Sequence, residues 1–256
     1  MKKYLISEMT WKEAEKRIKE AKAVILPLGS TEQHGYHLTL DTDNIVGRYV
    51  SEKLAMKTDC VVLPILPYGQ VWSAKDFPGT ISLKERTFIE VVKDIVCSLE
   101  KKGAKNIILF SSHWGNTAPA KIAARELFDE KGFNNVYYMS YMNLKKNGEG
   151  IMETELWNNS GFHSGEIETS IVLHIDSSSV DMSKAICEYP DIPYDIDIRP
   201  KPWIEFNESG VFGDATKATK EKGEKFLDNW IKELENLIKL ILTLIKLNDI
   251  LIILKR

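Results

Sequence analysis

Cysteine is scarce in this chain. There are three in 256 residues, Cys60, Cys97 and Cys187, far apart and without a CxxC pair. That excludes a disulfide framework and fits a reducing, cytoplasmic setting. An excess of positive charge is also lacking: the formal net charge is −3, so there is no electrostatic footprint for nucleic acid. No GxGxxG or P-loop follows any apolar run, which argues against a Rossmann-type nucleotide binder. The N-terminal stretch "MKKYLISEMTWKEAEK" turns charged before a secretory apolar core could form, so no leader is expected. Internal repeats and breaks in composition are absent as well. At 43% apolar and 28% charged the composition is that of a globular protein, read as a single domain over 1–256.

Long apolar runs are confined to the C-terminal end, "LIKLILTLIKLNDILIILKR". It carries Lys239, Lys246 and Asp249, each costing roughly 2.5–3.5 kcal/mol at a bilayer centre. With Thr243 these fall on one helical stripe beside a wide apolar face. The favoured reading is a helix packed on the domain or on a neighbouring subunit; membrane association or a frayed tail is the alternative.

Elsewhere, short apolar runs alternate with amphipathic segments. Helices are expected over 10–21 (Thr10 as N-cap, Glu13 completing a capping box), 44–57, 83–102, 117–131, 164–176 and 216–247. Strands are expected over 23–29, 60–67, 106–112 and 135–141. The segment 143–161 reads as a polar loop, and 187–212 as Pro-rich and irregular. Uniformly apolar strands alternating with helices call for a parallel sheet covered on both faces, hence an α/β fold. Ligands in such sheets sit beyond the carboxyl ends of the strands.

Those ends hold the chemistry. "LPLGSTEQHGYHLTLDTDN" (26–44) follows the first strand with Glu32, His34, His37, Asp41 and Asp43. "SSHWGN" (111–116) follows the third with His113, and "FHSGEIETS" (162–170) adds His163, Glu166 and Glu168. Imidazole with carboxylate suits Zn, Mn or Fe(II). Each residue also has a plain structural reading. Asp43 could be an N-cap, His37 a loop hydrogen-bonder, and Glu168 a first-turn acid favoured by the helix dipole. His174, inside a helix, is expected to pack. The combination is the signal: four of five histidines fall in three loops at one sheet edge.

"LPLGSTEQHGYHLTLDTD", "FPGTISL", "SSHWGN", "HSGEIETS" and "GVFGDATKATKEKG", in that order over residues 26–223, resemble the motifs of the creatininase family, which includes a branch that deformylates formamidopyrimidine nucleotides. The resemblance implies a three-layer α/β/α sandwich with a mostly parallel sheet, commonly in hexamers. It also implies hydrolysis of non-peptide carbon–nitrogen bonds with two divalent ions per subunit, Zn, Fe(II) or Mn. Carried over by position, Glu32, Asp43 and His113 resemble the ligands of one ion. His34 and Asp43 resemble those of the other, with Asp43 bridging, and His163 matches a position for proton handling. The implied reaction is attack of metal-bound hydroxide on an amide.

The sequence departs from that pattern. Creatinine-cleaving members carry a Glu where Gly115 stands. Glu166 is expected to replace that ligand as a metal residue, with Glu168 in a supporting catalytic role beside His163. Ser111, Ser112 and Trp114 replace the usual residues around His113, and "HLTL" replaces HLPL. These changes point to a cyclic amide or formamide as substrate, such as a formamidopyrimidine nucleotide in flavin or deazaflavin precursor synthesis. Creatinine itself is an alternative. So is a non-catalytic, metal-bound oligomeric scaffold. A phosphoesterase is disfavoured because no Lys or Arg occurs between residues 23 and 47. The loop 143–161, with Trp157, is a candidate lid. Expected partners are a small-molecule amide and further copies of the chain, with no nucleic acid and no membrane.

Overall fold

A computed structural model describes residues 3–154 and 163–254, with side chains to residue 244 at the C-terminal end. Helix α1 (Trp11–Glu20) starts at Thr10 through the reciprocal capping box with Glu13, whose carboxylate accepts from the Thr10 N–H at 2.7 Å. Strand β1 (Val24–Leu28) leads to α2 (Thr42–Thr58), β2 (Val61–Val62) and α3 (Glu85–Glu100). Then come β3 (Ile107–Ser111), α4 (Thr117–Lys131), β4 (Val136–Met139) and a short α5 (Leu144–Gly148). Helix α6 (Glu166–Ile175) and an antiparallel pair, β5 (Cys187–Glu188) with β6 (Gly213–Asp214), precede α7 (Lys220–Leu254).

The four main strands form a parallel sheet in the order β2-β1-β3-β4. Every residue of β1 and β3 is buried, so the sheet is covered on both faces. Alternate side chains serve opposite layers. Ile25, Ile108 and Phe110 pack with Val50, Ile171, Trp230 and Leu234 from α2, α6 and α7. Leu26, Leu28 and Leu109 pack with Val92, Val96 and Leu127 from α3 and α4. Each such side chain contributes about 1.5–3 kcal/mol by leaving water. The result is the α/β/α sandwich expected from the alternating pattern.

Three expectations are adjusted. The strand expected over 60–67 is only Val61–Val62 with a lone bridge between Leu28 and Leu66, because Pro64 and Pro67 carry no N–H for the ladder. The loop expected over 143–161 contains α5, and its part from residue 155 on, including Trp157 and with it the proposed lid, lies outside the described residues. The last helix starts at Lys220 rather than 216, after a 3-10 turn over Ala215–Lys217 capped by Asp214. Among the described residues no helix is long and apolar enough to cross a membrane.

Candidate metal centre

Strands β1 and β3 are in register from Val24 beside Ile107 to Leu28 beside Ser111, so the loops that follow them emerge side by side. The fit between them is close. Ser112 N–H donates to the Leu28 carbonyl at 3.1 Å, and the Asn116 side chain donates to the Gly29 carbonyl at 2.8 Å. The Ser112 hydroxyl donates to the Asp43 carbonyl at 2.7 Å, which ties the first turn of α2 to the end of β3. Asp43 is therefore not the N-cap. That position belongs to Asp41, whose carboxylate pairs with Arg48 and takes a bond from the Asn44 side chain.

Six titratable side chains converge at this edge: Glu32, His34, Asp43, His113, His163 and Glu168. His113 Nδ1 lies 2.9 Å from Glu32 Oε2 and 3.0 Å from Asp43 Oδ2. The other oxygen of Asp43 faces elsewhere: Oδ1 is 3.6 Å from His34 Nε2, which is 3.9 Å from Glu168 Oε2. Asp43 thus belongs to two groups of three, one with Glu32 and His113 and one with His34 and Glu168. In each group one donor atom per residue lies within 4.8 Å of the others. Ser30 steadies the shared residue, donating to Asp43 Oδ2 at 2.6 Å.

The histidines are oriented by the backbone. His34 Nδ1 pairs with the Glu32 carbonyl at 3.1 Å and His113 Nε2 with the Gln70 carbonyl at 2.9 Å. With their other ring nitrogens held by backbone carbonyls, His34 Nε2 and His113 Nδ1 face the carboxylates, and these are the nitrogens that would bind a metal on losing their protons. His34 Nε2 is buried and has no hydrogen-bonding partner among the described residues. His163 Nε2 rests on the Gln33 carbonyl at 3.0 Å, leaving Nδ1 toward Glu168 at 4.0 Å.

The electrostatics show what the cluster lacks. Burial disfavours charge on His34, yet the surrounding Asp43, Glu168 and Glu32 carboxylates overcome it and raise its pKa to about 10. His113 is likewise pushed well up by Glu32 and Asp43 against its burial. Asp43 and Glu32 are held below the usual carboxylate range by these imidazolium neighbours, again against burial. Glu168 rises to about 7 because burial, reinforced by Asp43 and Glu32, outweighs the pull of His34. His163 falls to about 4 through burial and repulsion from His34. Without a cation the carboxylates are neutralised by protons on their own histidines. Divalent ions would take over that charge, and the N/O donor set suits them.

Glu166 is not part of this arrangement, which corrects the expectation that it replaces the ligand lost at Gly115. Its buried carboxylate accepts from the N–H groups of Glu153 and Thr154, from the Thr154 hydroxyl at 2.7 Å, and pairs with Lys222 of α7. Glu166 opens α6 facing the layer of α7, whereas Glu168, two residues on and about 200° round the helix, faces the site. The Ser164 N–H donates to Glu168 Oε2 at 2.6 Å, and Ser164 itself holds φ of 54°, a left-handed conformation that costs energy in a non-glycine residue. Gly115 has no room for any side chain: a Cβ there would meet the Gln70 carbonyl oxygen at 2.3 Å and His113 Nε2 at 2.4 Å.

His37 and His174 stay outside. His37 Nε2 pairs with Thr169 Oγ1 at 2.8 Å, and burial with nearby His34 lowers its pKa to about 4. His174 sits 3.4 Å from the Tyr49 hydroxyl. The site opens into a cavity of about 320 Å³ walled by Trp72, Trp114, Trp203 and Tyr141, with Gln70 and Ser73 among the polar groups. Tyr141 and Trp203 escaped the sequence reading, although Tyr141 stands at the carboxyl end of an expected strand, where ligands are to be sought.

The creatininase family model, described as creatinine amidohydrolase, matches residues 7–238. The chain belongs to the creatininase family. Among its relatives is creatinine amidohydrolase of Pseudomonas putida, 29% identical over 93% of this chain and 97% of that protein. Another is the mycofactocin precursor peptide peptidase of Mycolicibacterium smegmatis, 27% identical over 84% of each. A solved creatininase structure, the Mn form, superposes with a TM-score of 0.79 at 28% identity, covering 93% of this chain and 98% of that one. The chain thus belongs to a family of metal-dependent hydrolases that act on carbon–nitrogen bonds.

Proposed function

We propose that this chain is a dinuclear amidohydrolase acting on a non-peptide amide, cyclic or formyl. One observation carries the reading: the two oxygens of Asp43 are divided between two groups of three donors. Glu32, Asp43 and His113 would hold one divalent ion, and His34, Asp43 and Glu168 the other. Such ions supply Lewis acidity toward the amide and activate water near neutral pH. Burial lowers the His163 pKa to about 4, so the ring is neutral near physiological pH, and we take its Nε2, 3.0 Å from both the carbonyl and the side-chain amide nitrogen of Gln33, to donate to that carbonyl. Its Nδ1 is then free to take a proton and return it to the departing nitrogen, which is a poor leaving group without one.

The described lining of the cavity includes no Lys or Arg, which favours a neutral group next to the donor cluster. A formamidopyrimidine nucleotide in flavin or deazaflavin precursor synthesis fits if its formamide enters and its phosphate stays outside these walls. Creatinine is disfavoured because Gly115 cannot carry the carboxylate of creatinine-cleaving members. We read the chain as one domain that assembles through its C-terminal helix, where Leu240 and Leu244 are exposed, into a closed oligomer, a hexamer by resemblance. A monomer by light scattering at micromolar concentration would refute the assembly.

The deciding experiment is reconstitution with Zn, Mn or Fe(II) under anaerobic conditions, followed by elemental analysis and a screen of formamidopyrimidines, hydantoins and creatinine. The expected outcome is two ions per chain and hydrolysis of a formamide or cyclic amide. One ion or fewer, with no turnover, would leave the metal-bound scaffold as the surviving reading.

A further inference from the structure

Two of the buried polar atoms that lack a hydrogen-bonding partner among the described residues also belong to residues lining the cavity. One is His34 Nε2, which the metal reading explains. The other is the hydroxyl of Tyr141. A buried donor without a partner is destabilising, and native folds rarely keep one without a use. The Tyr141 ring is firmly placed. It lies flat against Trp230 of α7, centroids 4.6 Å apart and planes 8° apart. Trp230 is fully buried and packs in turn on Phe110 of β3 and Phe226 of α7. The residue leaves the carboxyl end of β4, on the same sheet edge as the loops that carry Glu32 and His113.

We propose that Tyr141 is a further catalytic residue, its hydroxyl donating a hydrogen bond to the carbonyl oxygen of the scissile amide. The inference rests on the amidohydrolase reading and adds a protein donor to it. Three features support it. The hydroxyl is shielded from solvent, where a hydrogen bond to developing negative charge is worth most. A phenol ionises only well above neutral pH, so the hydroxyl is a donor under the conditions of the reaction. Finally, the stack on Trp230 fixes the ring before substrate arrives, so little freedom is lost in making the contact. No proton is transferred in this step. The bond strengthens as charge builds on the oxygen and weakens when the product carbonyl or carboxylate departs.

The test is Tyr141→Phe in the full chain, reconstituted with zinc beside the wild type. The change keeps the ring and its stack and removes an orphaned hydroxyl, so the melting temperature should be equal or higher and the zinc content unchanged. Acetohydroxamate, which presents a carbonyl oxygen to a dinuclear site, serves as the binding probe. Calorimetry should show it about tenfold or more weaker in the variant. With a formamide substrate, kcat should fall about 100-fold while KM changes little. A merely structural tyrosine would lower the melting temperature and leave that split unmoved. Equal acetohydroxamate affinity at equal zinc content would overturn the role of Tyr141 and leave the amidohydrolase reading standing. A wild type that takes up zinc but neither binds acetohydroxamate nor hydrolyses any amide would overturn both.

Discussion

Two clusters of charge in this molecule invite comparison. Across α3 and α4, Arg86 and Lys93 meet Glu90, Glu126 and Glu130. Arg86 binds Glu126 at 2.6 Å, and Lys93 binds Glu126 at 2.7 Å and Glu130 at 3.0 Å. Arg86 also pairs with Glu90. Every carboxylate there faces a cation, and the network lies at the surface, where such pairs add little to stability. At the sheet edge Glu32, Asp43 and Glu168 gather without a single Lys or Arg among the described residues of the wall, Glu32 and Asp43 wholly buried. They are balanced only by imidazoles, one of which keeps an orphaned nitrogen. The first cluster is complete in itself. The second leaves His34 Nε2 without a partner among the described residues, and bound metal is what we propose fills that deficit.

Removing the shared member of the incomplete cluster should have the largest effect. Asp43→Ala is expected to lose both ions and about 10⁴-fold or more of the activity, since groups acting as a unit fail together. Elemental analysis showing both ions retained would dissolve the distinction between the clusters.

Next in size is the contrast between neighbouring glutamates. Glu168→Gln should lose one ion of two and about 100-fold or more in turnover. Glu166→Gln should keep both ions and instead lose roughly 2–3 kcal/mol of stability, because Lys222 and the Thr154 segment lose a buried charged partner. Metal content and urea unfolding of the two variants, side by side, decide it. Loss of an ion from the Glu166 variant alone would reverse the assignment.

A smaller, graded effect follows from pH. In the metal-free cluster His34 carries a proton, its pKa raised to about 10, whereas an imidazole ligand must be neutral at the binding nitrogen. Metal affinity should therefore fall as pH is lowered, and adding metal to the metal-free protein near neutral pH should release protons into a weakly buffered solution. A pH-independent affinity would mean the histidines do not exchange protons for metal.

The smallest effect belongs to the complete cluster. Arg86 and Lys93 lower the pKa of Glu126 to about 2. A depressed carboxylate stabilises the fold above its unfolded pKa, and that contribution is lost as pH falls through the folded value. Glu126→Gln should thus lower the melting temperature slightly at neutral pH, with metal content unchanged. The difference from wild type should vanish as pH drops toward 2, and high salt should shrink it as well.

Legibility differed between the two loops that build the site. After β1, Glu32, His34 and Asp43 sit in a segment whose ends are a buried strand and the first turn of a helix, so local sequence constrains where they can point. At the start of α6 the same logic failed. Glu166 stands three residues after His163, a spacing that on a helix would give them one face, but His163 lies before the helix, bridged to Phe212, and Ser164 turns the chain through a left-handed conformation. Helical spacing does not hold across that turn. The partner that claims Glu166, Lys222, lies 56 residues away on α7, and no local pattern announces it.

By itself the sequence determined the layers, because uniformly apolar strands alternating with amphipathic helices can be buried only in a parallel sheet covered on both faces. It also determined which edge carries the chemistry, since Glu32, His34, Asp43 and His113 follow the carboxyl ends of adjacent strands. Tertiary structure alone decided which α6 carboxylate meets that edge, why Gly115 can hold nothing larger, and that the Tyr141 hydroxyl is left without a partner among the described residues. Periodicity assigns residues to faces, but contacts between faces depend on packing between segments far apart in the chain.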